Sequence, residues 1–215
     1  MLTKFLDKLR RKPSGQFSSA GYWEGRYREG GTSGAGSYGL LADFKAEVLN
    51  RFVAEHAVTS VVEFGCGDGN QLTLARYPSY VGIDVSSVAI QLCRERFSDD
   101  PTKRFELQSG AQSSNPMAEL ALSLDVIYHL LEDEVFDAYM RRLFTSATRY
   151  VVIYSSNGPP CPGTATGRHV KHRKFTEWVE VNVTGWKASE VIPNRFPYDC
   201  ATEQGSFADF FIYSK

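Results

Sequence analysis

Three glycines at alternate positions, Gly65, Gly67 and Gly69 in "VVEFGCGDGN", follow an acid, Glu63, placed two residues before the first of them. Residues of these types at this spacing suit close contact with a small charged ligand. Glycine lacks the Cβ that would block the approach, and it accepts positive φ. A dinucleotide fingerprint needs its third glycine one place later, where Asn70 stands. Glu63 also puts negative charge where backbone amides would hold a pyrophosphate. The turn therefore favours a ligand carrying a positive amino group over a diphosphate. A second acid, Asp84, closes "YVGID" about twenty residues further on, where a carboxylate typically takes ribose hydroxyls.

Two further constellations carry chemistry. "SLDVIYHLLED" brings Asp125, Tyr128, His129, Glu132 and Asp133 together. His129 is the preferred general base, because its ordinary pKa lies nearest neutrality. The competing readings are a histidine that packs or caps the next helix and, for Asp125, a plain helix-start acid. "TGRHVKHRKF" clusters Arg168, His169, Lys171, His172, Arg173 and Lys174. This run reads either as a solvated charged loop or as a donor set for an anionic acceptor such as a carboxylate, a phosphorylated molecule or an acidic glycan. A third reading, a metal pair from His169 and His172, lacks a third ligand of defined spacing, so no metal is expected.

The elements that must position these residues follow from periodicity. "SVVEF", "YVGIDV", "RFELQ", "LALSLDVIY" and "RYVVIYS" read as five strands. "LLADFKAEVLNRFVAEH" puts Leu41, Phe44, Val48, Leu49 and Phe52 on one helical face. "SSVAIQLCRERF" is a helix capped by Ser86 or Ser87, and "EDEVFDAYMRRLFTSA" is another. The glycine turn is expected to lead into a helical stretch as well. Strands alternating with helices at this spacing make βαβ units and a parallel sheet. After a helix in "RKFTEWVEVNV", the strands "WKASEVIPN" and "ADFFIYSK" have no helix between them, so an antiparallel hairpin is expected at one edge.

Composition bounds the class. The 215 residues suffice for one buried domain, with 42% hydrophobic and 23% charged residues and a net charge of -1. That balance gives no general attraction to nucleic acid or anionic lipid, and no apolar run approaches the roughly 20 residues of a membrane span. The N-terminus "MLTKFLDKLRRKP" has helical spacing and no secretory apolar core, which points to a cytoplasmic protein. Amphipathic Leu2 to Arg11 suits a partner subunit or a membrane surface equally well. Cys66, Cys93, Cys161 and Cys200 show no zinc cadence and are expected as free thiols rather than with a Cys161–Cys200 bridge. The proline before Cys161 suggests cytosine C5 chemistry, but its position after the fifth strand argues against that.

Glu63-x-Gly65-x-Gly67-x-Gly69, Asp84 ending the next strand and "LSLDVIYHL" on the fourth resemble the successive motifs of class I S-adenosylmethionine-dependent methyltransferases. The likeness covers about Leu40 to Ser155, and the C-terminal hairpin fits the seventh-strand insertion of that fold. It implies an α/β, Rossmann-like three-layer sandwich with a mostly parallel seven-stranded sheet. The implied domain occupies residues 40–215, preceded at residues 1–39 by a helix and a glycine-rich lid. It implies S-adenosylmethionine as cofactor, with the Gly65, Cys66, Gly67 and Gly69 turn under its methionine part. Asp84 and Val85 would meet the ribose, and Leu124 would border the site from the fourth strand. The family often carries an acid after strand three that receives the adenine amino group; "LQSGAQSS" has none, leaving Gln112, Ser109 or backbone near Ala111. Tyr128, Arg168, His169, His172 and Arg173 fall on the acceptor side.

The resemblance also gives a role to "GGTSGAGSYG", Gly30 to Gly39. The segment before the first strand of such proteins often folds over the cofactor. Trp23 and Tyr27 would form an aromatic wall, and Arg26 would pair with the methionine carboxylate. Ser37 and Tyr38 would belong to a lid able to close and exclude water; the alternative is a disordered surface loop. The implied activity is methyl transfer by in-line displacement to a small or medium-sized acceptor, a metabolite or glycan. An RNA-modifying enzyme and a catalytically idle cofactor-binding protein are the alternatives. No Asn-Pro-Pro-Tyr run follows the fourth strand, and nucleic acid is not the expected partner.

Overall fold

A computed structural model of the chain describes residues 17–108, 115–159, 167 and 169–215. Among the described residues five α-helices and seven strands follow in the order α1 (Ser19–Arg28), α2 (Gly39–Glu55), β1 (Val61–Phe64), β2 (Tyr80–Asp84), α3 (Ser87–Arg96) and β3 (Lys103–Leu107). They continue as β4 (Ala118–Leu124), α4 (Asp133–Thr145), β5 (Ala147–Ser155), α5 (Phe175–Asn182), β6 (Lys187–Ile192) and β7 (Asp209–Ser214). The strands form one sheet in the order β3-β2-β1-β4-β5-β7-β6. The first five are parallel, and β7 runs antiparallel to both β5 and β6. This is the expected three-layer α/β architecture with its antiparallel C-terminal edge.

Each face of the sheet buries its own apolar cluster. Phe44, Val48, Leu49 and Phe52 of α2 and Ile90 of α3 pack on one side with Leu120, Leu122 and Phe210. Phe136, Met140 and Leu143 of α4 and Phe175 of α5 pack on the other with Val62, Phe64 and Ile153. Chain order reverses at β1, whose neighbours are β2 and β4. A crevice for ligands opens at such a switch point, beyond the carboxyl ends of the strands.

The structure adds one helix and corrects three local expectations. "SAGYWEGRYR" is a ten-residue helix, α1, whose N-cap Ser18 accepts a hydrogen bond from the Gly21 amide. Strand β4 ends at Leu124 and does not run on to Tyr128, because Asp125 turns left-handed with φ 59° and Ile127–His129 coil into a single 3-10 turn. The stretch after the glycine turn is likewise only a 3-10 turn, Gln71–Leu74, since Pro78 and the start of β2 leave no room for a helix. Cys200 is disulfide-bonded, contrary to the expectation of free thiols, whereas Cys66 and Cys93 are free and buried. The expected helix from Leu2 to Arg11 and the positions of Ser109, Ala111, Gln112, Cys161 and Arg168 lie outside the described residues. Among the described residues no helix is long and apolar enough to cross a membrane.

Candidate active site

A cavity of about 520 Å³ opens at the carboxyl ends of β1, β2 and β4. The structure brings twelve of the expected site residues to its wall: Trp23, Tyr27, Ser37, Glu63, Gly65, Cys66, Gly67, Asp84, Val85, Leu124, Asp125 and His129. Most of the lining surface is apolar, with Ala20, Val126, Leu130, Val135 and Ala138 adding to it.

The floor is the glycine turn. Gly65 and Gly67 have φ of 83° and 59°, which L side chains rarely adopt. A Cβ on Gly65 would lie 2.5 Å from Val126 Cγ2, and one on Gly67 would lie 2.3 Å from Ser33 Oγ. Gly69 faces away from the cavity, where a Cβ would meet Cys93 Sγ at 2.9 Å and Phe97 at 3.0 Å. Two buried carboxylates flank the turn. Asp84 accepts hydrogen bonds from the Gly67 amide at 2.9 Å and the Ser86 amide at 2.8 Å; burial holds its pKa above the ordinary value in spite of them. Glu63 accepts from the Tyr80 hydroxyl at 2.7 Å. Burial pushes its pKa up to about 7, against the pull of that hydrogen bond and of the Lys45 charge.

The roof is α1 and the glycine-rich segment after it. Helix α1 is pinned at its start by Ser19, whose amide donates to Glu132 Oε1 at 2.9 Å and whose hydroxyl donates to Glu132 Oε2. One turn later Glu24 accepts from the Ser86 hydroxyl at 2.7 Å and the Ser87 amide at 2.9 Å, placing a carboxylate at the N-terminus of α3. The loop is then clamped onto the glycine turn by Asp68. Its Oδ2 accepts from the Ser33 amide at 2.9 Å and the Tyr38 hydroxyl at 2.8 Å, while its own amide donates to Ser33 Oγ at 3.0 Å. Burial alone would raise the Asp68 pKa, yet the amides of Ser33 and Asn70 and the Tyr38 hydroxyl outweigh it and hold the acid ionised. Asn70 Nδ2 completes the clamp by donating to the Ser37 carbonyl at 2.7 Å. Tyr38 thus touches Asp68, and Arg26 donates to the Thr32 carbonyl at 2.6 Å; neither lines the cavity.

The fourth-strand corner supplies the remaining polar groups. Asp125 Oδ2 accepts from Lys45 Nζ at 2.7 Å, and Oδ1 accepts from the Tyr128 hydroxyl at 2.8 Å. His129 Nδ1 lies 2.9 Å from the His169 carbonyl oxygen. A carbonyl only accepts, so Nδ1 carries the proton and Nε2 has the free lone pair. Burial pushes the His129 pKa down to about 4, so the ring is neutral at physiological pH. The ring stacks on His169 at 5.3 Å and meets the edge of Trp23 at 5.0 Å.

Much of the basic cluster is already paired. Lys171 and Arg173 both pair with Asp133, at 2.6 and 2.7 Å, and Arg173 also donates to the Leu130 and Leu131 carbonyls. The Lys171 and Arg173 donors hold the Asp133 pKa down at about 2. His172 Nδ1 sits 2.7 Å from Ser156 Oγ, and His169 stacks on Tyr22 at 4.9 Å. Tyr128, His169, His172 and Arg173 therefore brace the wall from behind. Among the described residues no three His, Cys, Asp or Glu side chains converge as they would on a metal.

Sequence reasoning missed Lys45, Asp68 and the α4 residues Glu134, Val135, Ala138, Tyr139 and Arg142 that reach the site. Asp68 had a signal, an acid inside a glycine turn whose own backbone leaves no room for a solvent-facing side chain. Lys45 had none, since a lysine between Phe44 and Val48 reads as the polar face of an amphipathic helix.

No family model and no curated protein matches the chain. Solved structures do. Magnesium protoporphyrin IX methyltransferase from Synechocystis PCC 6803, with bound S-adenosylmethionine, superposes with a TM-score of 0.65 at 13% identity over 94% of this chain and 99% of that chain. The methyltransferase domain of a bacterial Hen1 gives 0.61 at 19% identity over 80% and 97%. The N-methyltransferase NodS from Bradyrhizobium japonicum WM9, with S-adenosylhomocysteine, gives 0.61 at 17% identity over 80% and 85%. The chain has the fold of class I S-adenosylmethionine-dependent methyltransferases.

Proposed function

We propose that this chain is an S-adenosylmethionine-dependent methyltransferase acting on a small or medium-sized acceptor. The observation that carries the reading is the cavity floor, where two buried carboxylates flank a glycine turn with positive φ. That donor and acceptor set fits the cofactor. Glu63 suits the methionine ammonium, and Asp84 suits the ribose hydroxyls. Glycines 65 and 67 leave the space that a Cβ would fill. The bound cofactor supplies a methyl group already activated by its sulfonium sulfur.

The chain's own contribution is then alignment and the exclusion of water. Helix α1 and, from the segment after it, Ser33 and Ser37 line the cavity, and this covering favours a small acceptor over a macromolecule. His129 Nε2 is the free lone pair at the cavity for an acceptor that must lose a proton; with its pKa pushed down to about 4 it is a weaker base than the near-neutral histidine that the sequence suggests, so it serves an acceptor whose proton is loosened as the methyl group is attacked. The pairing of Lys171 and Arg173 with Asp133 removes much of the support for an anionic acceptor. With His129→Gln, we expect turnover of a proton-bearing acceptor to fall about 10²-fold, with S-adenosylhomocysteine affinity within about threefold of the parent. Unchanged turnover would remove His129 as the base.

Calorimetric titration with S-adenosylhomocysteine tests the cofactor assignment directly; no binding would end it. The lid assignment has its own check in limited proteolysis. S-adenosylhomocysteine should slow cleavage between Gly30 and Gly39 in the parent protein, and Asp68→Ala should expose those bonds with or without ligand. Cleavage indifferent to ligand in the parent would return the segment to an ordinary surface loop. Turnover confined to RNA would favour the RNA-modifying alternative, and binding without any turnover the idle one.

A further inference from the structure

Lys45 is a buried cation with no part in the mechanism so far. Only 1% of its side chain is exposed, against 16% for Asp125, its ion-pair partner. The ammonium lies 5.2 Å over the Tyr154 ring; both groups line the cavity, and the carboxylate is the more exposed of the two. Asp125 is held from every side. Its amide donates to the Tyr154 carbonyl at 2.9 Å, and its two oxygens take Lys45 and Tyr128. Its backbone sits at φ 59°, a conformation that a non-glycine residue keeps only where its surroundings impose it, and such residues gather at functional sites. Gly36 closes over the same carboxylate so tightly that a Cβ there would come within 2.8 Å of Asp125 Oδ2.

Resting on the methyltransferase reading, we propose that Asp125 is the polar anchor of the acceptor subsite and that Lys45 is its positioning residue, so the acceptor presents an O–H or N–H donor and not a carboxylate. Each Asp125 oxygen keeps a lone pair after its present bond, so the carboxylate can accept one more hydrogen from a ligand. A hydroxyl or an amine supplies that hydrogen. A carboxylate supplies none and brings a like charge beside Asp125 and Glu63. Removing Lys45 would leave a half-buried carboxylate without its counter-charge and free to turn.

Three ring-matched probes separate these cases in protein saturated with S-adenosylhomocysteine, read by ligand-observed NMR. Phenol and benzylamine, which distinguish an O–H from an N–H acceptor, should bind, with benzoate weaker than the better of them by about tenfold. Asp125→Asn should reduce that discrimination to about threefold or less. Lys45→Met should do the same, the double variant should lose nothing further, and Lys45→Arg should restore part of it. A structural role for Lys45 would lower stability without moving the discrimination. The proposal is overturned if benzoate binds as well as phenol and benzylamine, if none of the three binds, or if Lys45→Met keeps the discrimination. Retention of S-adenosylhomocysteine checks that each variant is folded. Failure of the parent protein to bind it would instead sink the methyltransferase reading.

Discussion

Replacing Glu63 by glutamine should stabilise the ligand-free protein at pH 8 while weakening its hold on the cofactor. The two effects have one cause, a carboxyl buried between Tyr80 and the glycine turn with its pKa pushed up to about 7 from an ordinary 4.5. An acid whose folded pKa lies above its unfolded value costs no stability below pH 4.5. The cost grows between 4.5 and 7 and is complete above 7, where it reaches up to about 3 kcal/mol. Glutamine removes that cost and can still accept the Tyr80 hydrogen bond. Chemical denaturation should therefore show a gain that is large at pH 8 and small near pH 4.5. The ammonium of the cofactor pairs with ionised Glu63 in this account, so the same change should weaken S-adenosylhomocysteine binding by about ten- to a hundredfold. In the parent protein, affinity should rise by up to about tenfold from pH 6 to pH 8 as Glu63 ionises. A variant that loses stability at pH 8 and binds normally would contradict the role given to this carboxyl.

Gly67→Ala should abolish detectable cofactor binding. The methyl group would enter at φ 59° and come within 2.3 Å of Ser33 Oγ and 2.9 Å of the Tyr27 hydroxyl. The strained backbone costs about 1–2 kcal/mol, and the displaced contacts add about 1–3 kcal/mol. Ser33 cannot give way cheaply, because its hydroxyl and amide are both engaged with Asp68. The variant must distort the turn or lift the lid, and either outcome opens the cavity. Thermal unfolding and calorimetry together decide the point: a stable variant with parental affinity would show that the turn and lid do not meet at the ligand.

Much of this arrangement was legible from residue types alone. β1 is a short apolar run with Glu63 next to its end, β2 is one that ends in Asp84, and Ser86 caps α3 through the Ala89 amide as its position suggests. Helix α1 escaped notice because it has hardly any apolar face: only Ser19 and Tyr27 of its ten residues are buried. It is held by Glu132 and Ser86, more than sixty residues away, which no local pattern reveals. The corner at Asp125 was hidden by an unbroken apolar run, since "LALSLDVIY" has the composition of a strand to its end. Lys171 and Arg173 looked available because Asp133, which neutralises them, lies 38 and 40 residues earlier in the chain. Charges were easy to find in the sequence, and their partners were not.

Methyl transfer from S-adenosylmethionine to a small acceptor can be followed by the fate of the methyl group. Incubation of the protein with methyl-labelled S-adenosylmethionine and fractionated cell extract tests it most directly. Label should appear in the small-molecule fraction with the parent protein and stay in the cofactor with Gly67→Ala. Label that remains in the cofactor with the parent protein, or that enters only RNA, would contradict it.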